Sequence, residues 1–147
     1  MSGKTKFPCS THQKTNGIVY FARMLDKIRL NASNELPPGY FLGTADPTFF
    51  DARFVKFVRV DYDKIANRAL EGGTNEEILE WCFQNGRKPS EEEILVWNQF
   101  LLKRGWRDES SASLEEFKTE TGFAGRPEIQ TWVDLQEVDE GRPLKHP

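Results

Sequence analysis

The chain has only 2 Cys, 2 His and 2 Met in 147 residues, and these shortages exclude a good deal. Cys9 and Cys82 stand far apart and form no CxxC pair, the pattern of reduced thiols and not of a disulfide scaffold. No run approaches the ~20 apolar residues that a membrane helix needs, and the opening MSGKTKFPCS lacks the apolar stretch of a secretory signal. A cytoplasmic protein with no membrane partner is expected, in which the acceptor spelling Asn31-Ala32-Ser33 carries no glycan. Catalytic signatures are missing too. GYFLGT, from Gly39, has neither the four-residue gap nor the Lys-Ser/Thr of a phosphate loop, and no Ser sits in a G-x-S-x-G elbow. Cys9-Ser10-Thr11-His12 has the spacing of half a zinc site, but Cys82 and His146 sit singly and remotely, so neither a metal nor a cofactor is expected.

What is present describes a helical body. At 147 residues, with 11 Phe and 4 Trp, one domain can bury a ring-rich core without staples. Its net charge of -3 is unevenly spread: residues 1–70 hold 11 Lys+Arg against 6 Asp+Glu, and residues 71–147 hold 9 against 17. A basic half suits an anionic partner, while the acidic half argues against nucleic acid; internal pairing of the two halves is the structural alternative.

Residues 1–16 are polar and contain Pro8, which reads as an extended arm with Phe7 tucked onto the body. A first helix is expected from Gly17 to Leu30, then a loop through Pro37-Pro38-Gly39 that carries Tyr40, Phe41 and Leu42. Asp46-Pro47 spells a helix start, with the second helix running to Val58, and Asp61 opens a third ended by Gly72-Gly73. Thr74 with Glu77, Ser90 with Glu93 and Ser113 with Glu116 each spell a capping box, matched by left-handed stops at Gly86, Gly105 and Gly122. These give helices at 75–85, 91–104 and 114–121, and a last segment opens at Arg126-Pro127. Strand signals are almost absent and no repeat is evident. The fold class expected is all-α: about six short helices packed at steep angles in one domain over 17–142, with a tail at 143–147.

Three polar features stand in unexpected places. Asn98 sits between Ile94, Leu101 and Leu102 on an apolar arc, where its amide must find partners, in a loop or in a ligand. Arg53 emerges from a stripe of Phe49 and Phe57, either stacked and snorkelling or held rigid to receive a carboxylate or phosphate. In YFARMLDKIRL, from Tyr20 to Leu30, Arg23, Asp26 and Lys27 cluster on a side flanked by Val19 and Leu30. Left in solvent, these pairs are worth little; drawn against other elements, they become either a fully paired structural network or a site in which Asp26 orients Arg23 and leaves Lys27 to meet an anion. Glu91-Glu92-Glu93 belongs to a helix's first turn, where acids complement the dipole. Asp134, Glu137 and Glu140 form either a solvated face or a carboxylate staircase able to hold a cation.

The blocks YFARMLDKIRL, EILEWCF, SEEEILVWNQFLLKRG and TWVDLQEVDEGR, with Asp46-Pro47 after the aromatic loop, resemble a family of small uncharacterised bacterial proteins catalogued as a domain of unknown function. The resemblance spans 17 to 142 and implies a stand-alone bacterial cytosolic domain; it brings no activity, cofactor or site. The reading carried forward is a binding module. A small anionic ligand, or an acidic segment of another protein, would sit in a ring-lined cleft between the first helix, the second and the Asn98 helix. Arg23, Lys27 and Arg53 would contact the anion, Asp26 would orient Arg23, Asn98 would fix ligand or wall, and Tyr40 and Phe41 would form a lid. The alternatives are a small enzyme using Asp26 as base or Lys27 as nucleophile, and a self-associating interaction domain. The oligomeric state is not legible.

Overall fold

The structure, a computed structural model, describes residues 6–145. Among them are seven helices and a single two-stranded hairpin, so the all-α expectation holds, with one helix more than expected. Contacts divide the chain into two compact units, one reaching Leu95 and the other starting at Val96.

The first unit opens on β1 (Lys14–Thr15) and β2 (Ile18–Val19), paired antiparallel with Lys14 opposite Val19. Asn16 and Gly17 both adopt positive φ, 46° and 85°, as a two-residue hairpin turn requires. The expected arm is therefore packed in its described part: Thr11 and Thr15 are buried, and the Tyr20 N–H donates to the Thr11 carbonyl at 3.0 Å. Phe7 stays exposed, and Pro8 is the residue covered. Because Ile18 and Val19 belong to the hairpin, α1 runs Phe21–Ala32 and not from Gly17. Its first two turns are buried nearly all round, and it packs against β1, α3 (Tyr62–Leu70) and α4 (Asn75–Asn85).

Asp46-Pro47 makes a turn instead of a helix start. The Asp46 carboxylate accepts from the Thr48 N–H at 2.8 Å and hydroxyl at 2.7 Å, and α2 (Phe50–Val58) begins after that turn. The Thr74–Glu77 and Ser90–Glu93 boxes form reciprocally and start α4 and α5 (Glu91–Lys103). The third box does not form. Asp108 accepts from the Gly105 and Ser110 N–H groups while its own N–H donates to Ser111 Oγ, which starts α6 (Ser111–Glu120) ahead of Ser113. Ser110, the residue before the helix, makes no side-chain cap bond; the Asp108–Ser111 turn instead pairs the N–H groups of Gly105, Asp108 and Ser110 ahead of it.

In the second unit α6 and α7 (Trp132–Asp139) share a core of Leu114, Ile129 and Leu135, closed by Phe117 against Trp132 with ring centroids 5.5 Å apart. On α5 the buried residues are Trp97 and Leu101; Asn98 is half-buried and not fully covered as expected. The apolar arc is centred one residue earlier than hydropathy alone suggested, on the bulkiest side chain.

Gly105 and Gly122 take positive φ as expected, but Gly86 has φ -126°. Its glycine is required by close approach: a Cβ there would stand 1.9 Å from the Val58 carbonyl oxygen, which accepts from the Arg87 N–H at 2.8 Å. Gly86→Ala must push α4 off the end of α2. Urea unfolding is expected to show a loss of about 2 kcal/mol or more, whereas Gly122→Ala, with open space around its Cβ, should lose only the roughly 1 kcal/mol of left-handed strain.

Candidate functional site

The charged side of α1 faces protein. Tyr20 and Lys27 are buried there, and the acid that meets them is Asp51 of α2, itself 1% exposed. Lys27 Nζ stands 3.0 Å from Asp51 Oδ1, donates to the Phe41 carbonyl at 2.8 Å, and lies 5.3 Å from the Tyr20 ring centroid. The Tyr20 hydroxyl donates to the same Oδ1, and the Gly43 N–H donates to Oδ2 at 2.9 Å. A buried carboxylate and ammonium are thus satisfied by each other and by donors and acceptors of one loop, which removes most of the desolvation penalty. Tyr20 holds φ 80° just before α1, a strained value for a ring-bearing residue. Its burial, its edge-on contact with Phe50 at 5.5 Å and the bond to Asp51 hold it there.

Lys27 is accordingly not left to meet an anion, as the sequence suggested; Asp51 already neutralises it. Nor does Asp26 serve Arg23 in the expected way. The Asp26 carboxylate accepts from the Cys9 N–H at 2.9 Å and stands 3.7 Å from Arg29, while buried Arg23 donates to the Cys9 carbonyl at 3.1 Å and lies 5.8 Å from the Tyr40 ring. Both residues clamp the N-terminal segment onto α1. Phe41 is 54% exposed and stacks on Phe49 at 4.6 Å, so the aromatic loop is anchored by its backbone and shows a ring to solvent. Arg53 is half-buried on α2, and its charge, after two bonds from Thr48, helps hold the Asp46 carboxyl below its ordinary range. Asn98 belongs to the second unit.

A hollow of about 480 Å³ opens beside this loop, lined by Thr44 and Pro47, by Val55 and Lys56 of α2, and by Tyr62 and Lys64 of α3, with Asp61 and Asp63 in the same lining. Arg23, Asp26, Lys27 and Arg53 are not among its lining residues. Sequence reasoning missed Tyr62 and Asp51, although Asp51 falls three and seven residues before Phe54 and Val58 and so shares their buried face. Burial and the charge of Asp51 raise the Tyr62 hydroxyl above its ordinary value, and burial with the same neighbour raises that of Tyr20 too. Cys82 is fully buried on α4, where desolvation pushes its thiol up to about 12. It suits a packed structural cysteine and not a nucleophile.

In the second unit Asp134, Glu137 and Glu140 form neither the solvated face nor the carboxylate staircase. Asp134 accepts from the Gln130 N–H in the first turn of α7, and fully buried Glu137 meets Arg142 at 3.2 Å and Lys145. Arg142 also reaches Glu140 at 2.6 Å. The acids neither face solvent nor gather for a cation; among the described residues no cluster of three metal-ligating side chains occurs.

Removing one partner of the Lys27–Asp51 pair leaves a charge buried alone. Lys27→Met and Asp51→Asn are each expected to lose about 3–5 kcal/mol in urea unfolding, and Lys27→Met with Asp51→Leu much less than the sum. A second expectation concerns alkali. The folded-state values of Tyr20, Tyr62 and Cys82 are all raised, so the unfolded chain gives up these protons first. The stability they support is present in full below the ordinary thiol value of 9.0 and falls as pH rises towards about 12, which melting curves across that window will register.

Comparison with known proteins adds a family and no activity. No curated protein matches the chain. No described helix is long and apolar enough to cross a membrane. The family model described as Domain of unknown function (DUF5069) matches residues 5–142, nearly the whole sequence, and the chain belongs to that family.

Proposed function

We propose that this protein is a binding module for a small anionic ligand, seated in the hollow beside Tyr62. The observation that carries the reading is the wall of that hollow. Beside α2 and α3 one side of it, at Thr44 and Pro47, is a loop fixed by the buried Lys27–Asp51 pair through Phe41 and Gly43. A preset wall lowers the ordering cost of binding. Lys56 and Lys64 supply charge for a phosphate or carboxylate, Thr44 supplies a hydroxyl, and the Tyr62 ring offers a face. Asp61 and Asp63 beside them favour an anion that also carries hydroxyl or amino donors, and disfavour a bare polyanion. In this reading Arg23, Asp26 and Lys27 position chain segments and do not touch the ligand, and Tyr40 and Phe41 ride on the loop as its cover. Lys27 serves poorly as a nucleophile because its ammonium already holds Asp51 and a carbonyl, which places a binding role ahead of an enzymatic one.

The test is a thermal-shift screen of inorganic phosphate and of phosphorylated and carboxylated metabolites. A ligand at about 100 times its Kd should raise the melting temperature by roughly 5–10 °C. Lys56→Ala with Lys64→Ala should abolish that shift, and Lys88→Ala, at an exposed position outside the lining, should keep it. Absence of any stabilising compound, or equal shifts in all variants, overturns the reading.

A further inference from the structure

A separate feature lies on α5. Its outward face carries Glu92, Leu95, Val96, Gln99, Phe100 and Lys103, all exposed, at the spacing of one continuous helical stripe. Leu95, Val96 and Phe100 are 53%, 58% and 40% exposed, three large apolar side chains within two turns. Scattered apolar residues need no explanation, but a stripe flanked by ordered charge does.

The charges are arranged symmetrically. Glu92 and Lys103 stand equidistant from the midpoint of the stripe, between Trp97 and Asn98, and about 16 Å apart at the helical rise. Two copies of such a helix laid parallel would set Glu92 on Glu92 and Lys103 on Lys103. Laid antiparallel about a two-fold axis through that midpoint, each Glu92 meets the other copy's Lys103, and each Val96 packs on the other copy's Phe100. The stripe is therefore complementary to itself in one orientation and repelled in the other, the property that an isologous interface requires. Arg104, whose guanidinium lies 5.5 Å from the Phe100 centroid, is paired with Asp108 at 3.4 Å, so Lys103 carries the basic end.

We infer that α5 is the self-association surface of this protein, pairing antiparallel with α5 of a second copy through a Val96–Phe100 centre closed by two Glu92–Lys103 ion pairs. A single helix face is a small interface, so the dimer is weak and forms with rising concentration. This surface is independent of the ligand hollow.

Sedimentation velocity of the full chain, from low micromolar to millimolar, tests it. The expected result is a mass rising from one chain to two. Glu92→Lys and Lys103→Glu, each of which creates two like-charge pairs, should weaken association roughly tenfold, Val96→Glu should abolish it, and the combined charge reversal should restore it. All three substitutions lie at exposed positions, and unchanged circular dichroism will show that folding is kept. The mass of one chain throughout the series, or a double reversal as weak as the single ones, overturns the inference.

Discussion

A lysine and an aspartate taken out of water together set the terms for the first unit. An isolated ammonium or carboxylate at that depth is too costly to keep charged, so the fold must bring Lys27 to Asp51 and supply the remaining protons and lone pairs. Satisfying them recruits the Tyr20 hydroxyl from just before α1, the Gly43 N–H and the Phe41 carbonyl. Three features that would otherwise vary independently become one arrangement: the strained backbone at Tyr20, the approach of α2 to α1, and the course of the aromatic loop. Its contribution is specification more than raw stability, since a buried ion pair is often no better than apolar residues of equal volume.

The same device recurs elsewhere in the chain. Buried Arg23 and half-buried Asp26 take the carbonyl and N–H of Cys9, fastening the N-terminal segment. In the second unit Lys118, 2% exposed, donates to the carbonyls of Arg126 and Ile129 at 2.9 Å each, which holds the irregular stretch before α7. Glu137, also buried, gathers Arg142 and Lys145 and ties down the segment after α7. In each case a helix extends a charged side chain to a stretch of chain that has no ladder of its own. Backbone groups in such stretches must be paired when covered, and a charged partner makes the stronger bond. Buried charge here is chiefly a way to fix loops, and the wall of the ligand hollow is one of the loops so fixed.

That pattern also explains why candidate residues were found for a reason different from the one that flagged them. Arg23, Asp26 and Lys27 stood out as charges on a side bordered by apolar neighbours, and that side is indeed covered. The charge that completes the cluster came from α2, about two dozen residues on in sequence, at a position hidden between Phe50 and Phe54. Conversely, the hollow is lined by Lys56, Tyr62 and Lys64, whose individual settings look like ordinary helix surface.

The sequence by itself determined what depends on neighbours within a turn or two. The Thr74 and Ser90 boxes, the positive-φ stops at Gly105 and Gly122 and the lengths of α3 and α4 follow from local hydrogen bonding and local backbone sterics. The hairpin was not read from the sequence, where an extended arm and a helix from Gly17 were expected, although Asn16-Gly17 is a local turn signal. Tertiary structure decided the rest. It started α6 at Ser111, behind the Asp108 turn, and not after Ser113, demanded glycine at 86 because a carbonyl from Val58 passes within a Cβ's reach, and turned Lys27 from a solvent-facing cation into half of a buried pair. Each of these rests on a group distant in sequence or held by a rival local bond. The free energy of burying a polar atom is set by what stands opposite it, not by what precedes and follows it in the chain.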